Sequence, residues 1–133
     1  DEFLSVMDAT AEFYLETIHS VFQAHELPLG TMVWQDQKVE PAAIAGTGLM
    51  TVEGERDDIS APGQTLAAHD ICVNVPSDRR EHWVEPGVGH YGIFNGRKWR
   101  ESILPRLETF IHANDPRSNS NGRWWQRRKN GSA

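Results

Sequence analysis

The sequence has little cysteine and no long hydrophobic run. A single cysteine, Cys72, occurs in 133 residues, which excludes an intramolecular disulfide framework and fits a reducing compartment. No segment approaches the run of about 18 to 20 apolar residues that a membrane-spanning helix needs, and no signal-peptide pattern opens the chain. The composition favours a globular domain with its own core. Because the chain does not begin with methionine, we expect it to be part of a longer protein.

Positive charge is scarce over most of the chain. Residues 1–114 hold 8 Lys and Arg against 18 Asp and Glu, whereas residues 115–133 hold 5 against 1. An acidic body argues against nucleic acid as the main partner, because phosphate contacts need a basic face. We therefore predict one domain over residues 1–114 and a basic, disordered tail over residues 115–133.

The tail places two adjacent tryptophans among cations. Its aromatic and basic residues are Trp124, Trp125, Arg123, Arg127, Arg128 and Lys129. Aromatic rings beside cations suit an anionic lipid surface or a granule coat, and nucleic acid competes as a partner for the same residues. The plainer interpretation is a solvated terminus.

Helical periodicity marks the start of the domain. Apolar residues recur at intervals of three and four from Met7 to Phe22, and Asp8 or Thr10 can cap the helix. We predict an amphipathic helix packed on a core, followed by an irregular connector over residues 30–47.

Strands and helices alternate in the rest of the domain. The pattern predicts a strand over residues 48–52, a helix from Pro62 to about Val73, a strand over residues 81–85, and a helix over residues 97–113 with a kink at Pro105. This order is typical of an α/β fold with parallel strands joined by a crossover.

The loops after the two strands carry the candidate chemistry. The first loop, residues 53–58, is acidic, and the second holds His90 among Gly87, Gly89 and Gly92. Because parallel strands end at the same edge of a sheet, where ligands bind in open α/β sheets, we expect these loops to be neighbours. A carboxylate beside an imidazole is the orienting half of a nucleophilic triad.

The nucleophile of such a triad is missing from the sequence. No G-x-S-x-G elbow or cysteine-centred equivalent occurs. Cys72 lies on the apolar side of the predicted second helix. We therefore expect it to be a small buried core residue and not the nucleophile. In α/β-hydrolases the chain order is nucleophile, acid, histidine, and this chain would contain the last two members.

Several long strings resemble the carboxy-terminal region of intracellular polyhydroxyalkanoate depolymerases, chiefly those of polyhydroxybutyrate. They are MDATAEFYLETIHSVFQAH, VEPAAI, TVEGERDDISAPGQTLAAHDIC and GVGHYGIFNGRKWRESILPRLETFI, and the similarity covers about residues 3–112. The resemblance implies the carboxy-terminal part of an α/β-hydrolase fold, ester hydrolysis of a stored polyester and a cytoplasmic, granule-associated setting. No cofactor or metal is implied. The implied partners are the polyester granule or hydroxyacyl oligomers and the remainder of the parent hydrolase.

Carried over by position, the family's acid falls on Asp57 and its histidine on His90. Asp58 is the rival acid, and Glu53 and Glu55 are interpreted as loop charges with Arg56 as a local counter-ion. Without the nucleophile, we expect the chain to be inactive alone. Because two parallel strands leave sheet edges uncovered, we also expect self-association.

Two other functional classes compete with the hydrolase. The first is a non-catalytic module that binds a granule or a partner protein. The second is a metal site built from Asp57, Asp58, His69 and His90, although no typical ligand spacing is present. The remaining histidines are interpreted as structural.

Overall fold

The computed structural model describes residues 8–116, and the chain divides into two units, Asp1–Pro41 and Ala42–Ala133. Two parts of the predictions lie outside the described residues. One is the place of Met7 in the first helix, and the other is the tail with Trp124 and Trp125.

The first unit begins with helix α1, Ala11–Thr17, which continues as a π-helical segment over Ile18–Gln23. The Thr10 side chain caps α1 by accepting a hydrogen bond from the Phe13 N–H at 3.3 Å. The helix and this cap are confirmed, but the packing of the helix on a core is not. No residue of α1 is buried, and Phe13 and Phe22 are 64% and 65% exposed.

A short hairpin follows where the sequence predicted an irregular connector. After helix α2, Glu26–Leu29, strand β1, Val33–Trp34, pairs antiparallel with β2, Gln37–Lys38. The turn residues Gln35 and Asp36 both have positive φ, 49° and 61°, as a two-residue hairpin loop requires. The prediction of an irregular connector is wrong here, because the turn contains no glycine, which is the usual sequence signal of a two-residue hairpin loop.

Two parallel strands form the centre of the second unit. A 3-10 turn, Pro41–Ala43, lies at the unit boundary, and β3, Leu49–Gly54, pairs with β4, Arg80–Glu85. Leu49 lies opposite Arg80, and Gly54 lies opposite Glu85. Both predicted strands and their parallel orientation are confirmed, as in an α/β arrangement. However, β3 is longer than predicted because Glu53 and Gly54 belong to it.

The connection from β3 to β4 contains less helix than predicted. Turns span residues 61–67, helix α3 covers only Ala68–Ile71, and a 3-10 turn, Ser77–Arg79, leads into β4. Gly63 has a φ of +101°, which cannot continue a helix begun at Pro62. The Arg80 guanidinium holds the end of α3 by donating hydrogen bonds to the carbonyls of His69 and Cys72 at 3.1 and 2.8 Å.

A continuous helical segment closes the described chain. It consists of α4, Gly96–Lys98, a π-helical segment, Trp99–Ile103, and α5, Leu104–Asn114. The helix predicted over residues 97–113 is confirmed. At the predicted kink, the hydrogen bonding changes from π to α just before Pro105, whose nitrogen has no N–H to donate.

The helical segments lie on opposite faces of the sheet. Thr51 and Glu53 project toward the residues that follow β3, whereas Trp83 and Glu85 project toward the segment that contains α4 and α5. The buried apolar residues described are Cys72, Val75, Val88 and Ile103. The carboxyl ends of β3 and β4 therefore form one edge, framed by helices on both sides.

Candidate active site

Asp57 and His90 lie side by side at the carboxyl edge of the sheet. His90 Nδ1 is 2.9 Å from Asp57 Oδ2 and 3.2 Å from Oδ1. Asp57 follows β3 by three residues, and His90 opens a 3-10 turn, His90–Ile93, five residues after β4. The expected proximity of the two loops is confirmed, and the catalytic roles of the two residues stay a prediction.

Backbone hydrogen bonds join the two loops beyond the ends of the strands. The Glu55 N–H donates to the Glu85 carbonyl at 3.0 Å, and the Arg56 N–H donates to the Val88 carbonyl at 2.9 Å. A Cβ at Gly54 would lie 2.5 Å from the Val88 carbonyl oxygen, so this close approach requires glycine. The acid and the histidine are thus held by a short extension of the parallel pairing.

Asp57 is buried and accepts hydrogen bonds on both oxygens. Its Oδ1 accepts from the Ile59 N–H at 2.9 Å and the Ser60 N–H at 2.8 Å, while Oδ2 faces His90. Burial disfavours the charged form, but the hydrogen bonds from Ser60, His90 and Ile59 outweigh it and hold the pKa of Asp57 below its usual value. Asp57 is therefore a carboxylate near neutral pH, aimed at the imidazole.

His90 is oriented by its neighbours and remains partly open. Its ring makes edge contacts with Tyr91 and Phe94, with centroids 5.6 and 5.7 Å apart, and 26% of its side chain is exposed. When Nδ1–H donates to Asp57, Nε2 carries the lone pair. This nitrogen is the atom that can take a proton from another group.

An apolar cleft of about 450 Å³ lies beside the pair. Asp57 and His90 contribute to its wall, and its apolar lining is Met50, Val52, Ile93, Phe94, Trp99, Ile103 and Leu107. Four consecutive residues of β3 line it and none of β4 does, so the cleft follows the edge of β3 that faces away from β4. It can hold an apolar group next to the imidazole.

The other predicted site residues lie elsewhere. Asp58, the rival acid, is exposed, whereas Asp57 is the carboxylate on His90. His69 hydrogen-bonds the Thr51 hydroxyl at 3.0 Å, and residues 8–116 contain no group of three or more His, Cys, Asp or Glu suited to a metal ion. The four-residue metal site is therefore not formed. Cys72 is buried, as expected.

Two carboxylates beside the site were not identified from the sequence. Glu53, interpreted as a loop charge, is 1% exposed within β3, and Glu85 is 1% exposed at the end of β4. Glu55 is exposed and accepts the Gly87 N–H at 2.7 Å, and Arg56 contributes the backbone contact given above. The sequence offers one signal that could have identified these glutamates, which is the position of each at or next to the end of a strand.

Comparison with known proteins gives one match. A family model described as "PHB de-polymerase C-terminus" matches residues 1–115. No curated protein and no solved structure matches the chain significantly. Among residues 8–116, no helix has the length and apolar character needed to cross a membrane.

Proposed function

Since the chain belongs to the family of PHB depolymerase carboxy-terminal domains, we propose that it supplies the acid and base of a polyhydroxybutyrate hydrolase. Asp57 is the acid and His90 is the base. The observation that carries the proposal is the 2.9 Å contact between His90 Nδ1 and the buried Asp57 Oδ2. The nucleophile, a serine or a cysteine, and the oxyanion hole lie elsewhere in a longer protein with an α/β-hydrolase fold.

The two residues act as a proton relay to that nucleophile. His90 Nε2 takes the proton of the Ser or Cys side chain as its oxygen or sulfur adds to the ester carbonyl. The imidazolium is stabilised by Asp57, and it returns the proton to the alkoxide when the ester C–O bond breaks. Water then replaces the alcohol, and the same proton transfers release the free acid.

The apolar cleft fits a polyester substrate. A hydroxyacyl chain is largely hydrocarbon between its ester groups, and seven of the cleft's lining residues are apolar while His90 lies at its wall. We take the substrate to be the polymer at a storage granule, or hydroxyacyl oligomers released from it, in the cytoplasmic setting that the resemblance to the family implies.

The test is mutation in the full-length hydrolase. Asp57→Asn and His90→Ala should each lower kcat on hydroxybutyrate oligomers by about 10³ to 10⁴, as for other triad members. Asp58→Asn is the matched control and should stay within about twofold, because its side chain is exposed. Full activity of the Asp57 and His90 variants would refute the proposal.

The same assay applies to the chain alone. We expect the 133 residues to show no turnover above the His90→Ala variant. Turnover that disappears on Cys72→Ser would instead place the nucleophile within this chain.

A non-catalytic binding module is the second candidate, favoured by the missing nucleophile elbow. The sequence upstream of this domain separates the two, because a strand followed by an elbow is needed for catalysis and not for binding.

A further inference from the structure

Two buried carboxylates have no part in the proton transfers proposed above. Glu53 and Glu85 lie in adjacent positions at the ends of the two strands, since Glu53 pairs with Val84 and Gly54 pairs with Glu85. Both are 1% exposed, and they project to opposite faces of the sheet. Burial of a carboxylate lowers the stability of the fold unless the carboxylate is hydrogen-bonded. The hydrogen-bond donors around Glu53 and Glu85 therefore show which segments these side chains fix in place.

Glu53 holds the segment that follows Asp57. Its Oε2 accepts the Gly63 N–H at 2.6 Å, and its Oε1 accepts the Thr65 N–H and hydroxyl at 2.7 Å each and the Leu66 N–H at 3.1 Å. Burial opposes ionisation, but these hydrogen bonds outweigh it and the pKa of Glu53 lies below its usual value. The segment is thus fixed at its start by Asp57 and at its end by Glu53.

Glu85 holds the helical segment that follows His90. Its Oε2 accepts hydrogen bonds from the Ser102 hydroxyl at 2.5 Å and the Trp83 indole N–H at 2.9 Å. Its Oε1 accepts from Lys98 Nζ at 3.2 Å. The loop with His90 is therefore fixed at one end by β4 and at the other by a helix that is bonded to the last residue of β4.

Glu53 and Glu85 fix their neighbouring segments in the same way. In each case, a carboxylate at the end of a strand or one residue before it binds the segment that comes after the loop with the proposed catalytic residue, and so closes that loop. The short loops then have little freedom, and the 2.9 Å contact between His90 and Asp57 is maintained. A misplacement of about 1 Å at such a pair can lower a rate by about 10².

We propose that Glu53 and Glu85 are positioning residues for the catalytic pair, each closing the loop of one member. This inference rests on the proposed function. Neither residue contacts the reacting atoms, and both act through the placement of Asp57 and His90.

The experiment compares Glu53→Gln and Glu85→Gln with Glu108→Gln in the full-length hydrolase. Glutamine keeps the size of the side chain, but its NH₂ group faces donors where the carboxylate had a second acceptor oxygen. Glu108 is an exposed glutamate on α5 and gives the matched control. Each variant is assayed at a temperature where circular dichroism shows it folded.

We expect kcat to fall about 10- to 100-fold in the Glu53 and Glu85 variants, with KM within about threefold. The low-field proton resonance of His90 Nδ1–H, which reports its hydrogen bond to Asp57, should shift or broaden in both and not in Glu108→Gln. If either glutamine variant does not fold, Thr65→Val and Ser102→Ala remove one donor each and should move the same resonance by less.

The proposal is overturned if folded variants match Glu108→Gln in kcat and keep the His90 resonance unchanged. A fall in activity that only follows the fraction of folded protein would also overturn it. These outcomes differ from failure of the proposed function, in which Asp57→Asn and His90→Ala are themselves active.

Discussion

At the scale of single residues, the Thr51 hydroxyl on β3 lies between two imidazoles, those of His69 on α3 and His82 on β4. The Thr51 hydroxyl oxygen is 3.0 Å from His69 Nε2 and 2.8 Å from His82 Nδ1. Since a hydroxyl has one proton to donate, it donates to one of the two rings and accepts an N–H hydrogen bond from the other. Burial, and then the neighbouring His82 and Arg80, lower the pKa of His69 below its usual value.

This pKa predicts a loss of stability in mild acid. In the unfolded chain His69 binds a proton near its ordinary pKa of about 6.5, while the folded chain binds it only at lower pH. Its contribution is therefore complete above about pH 6.5 and declines as the pH falls below that value. Urea unfolding midpoints at about pH 7.5 and about pH 5.5 should differ less in His69→Gln than in the wild type.

His19→Gln is the control for this measurement, because His19 is exposed on the first helix. It should keep the wild-type difference between the two pH values. An unchanged difference in His69→Gln would contradict the lowered pKa of His69.

At the scale of elements, the sequence predicted those whose signals are local. The apolar run before Glu53, the strand around Trp83 and the periodicity of Ile103 and Leu107 identified β3, β4 and the last helix. Since the strands are parallel, their order also predicted that Asp57 would lie near His90.

Elements that depend on distant groups were not predictable in this way. The turns over residues 61–67 are shaped by Glu53, which lies ten or more residues earlier in the chain, and by the φ of Gly63. The burial of Glu53 and Glu85 likewise depends largely on donors from distant segments, such as Gly63 and Ser102, and the local sequence offers only the position of each glutamate near a strand end as a signal.

The approach of β3 to the second loop gives a test of element packing. In Gly54→Ala the new methyl group would lie 2.5 Å from the Val88 carbonyl oxygen and 3.1 Å from its carbon. Because both are backbone atoms, the loops must separate. We expect a loss of about 1 to 3 kcal/mol in the free energy of unfolding and a fall in kcat of the full-length hydrolase.

Gly46→Ala is matched to this change. No atom lies within 4 Å of the Cβ it would add, and we expect a change in unfolding free energy below about 0.5 kcal/mol. Equal effects of the two substitutions would show that the close approach is not what constrains Gly54.

At the scale of the whole molecule, little apolar surface is buried for the number of large apolar side chains. The buried apolar residues described are four, Cys72, Val75, Val88 and Ile103, while Phe94 and Ile111 are 62% and 58% exposed. The parallel sheet in the described residues has two strands, and such a sheet leaves strand edges unpaired. These features favour further protein covering the exposed apolar surface that lies outside the cleft beside His90.

We therefore predict that the isolated 133-residue chain associates with itself, or unfolds easily when dilute. Sedimentation velocity over a range of concentrations should show oligomers at micromolar protein, and Ile111→Glu should weaken the association because it charges an exposed apolar position outside the cleft beside His90. A compact monomer with a cooperative unfolding transition under the same conditions would contradict the prediction.

Under the proposed function, the backbone hydrogen bonds from Glu55 to Glu85 and from Arg56 to Val88 have a consequence for assembly of the catalytic centre. They join the loop of Asp57 to the loop of His90, so that the two residues move together when the domain moves. Alignment with the nucleophile then requires one docking event instead of two independent adjustments. A misdocked domain would deliver a correctly formed pair to the wrong place, so that activity is lost without any change in the pair itself.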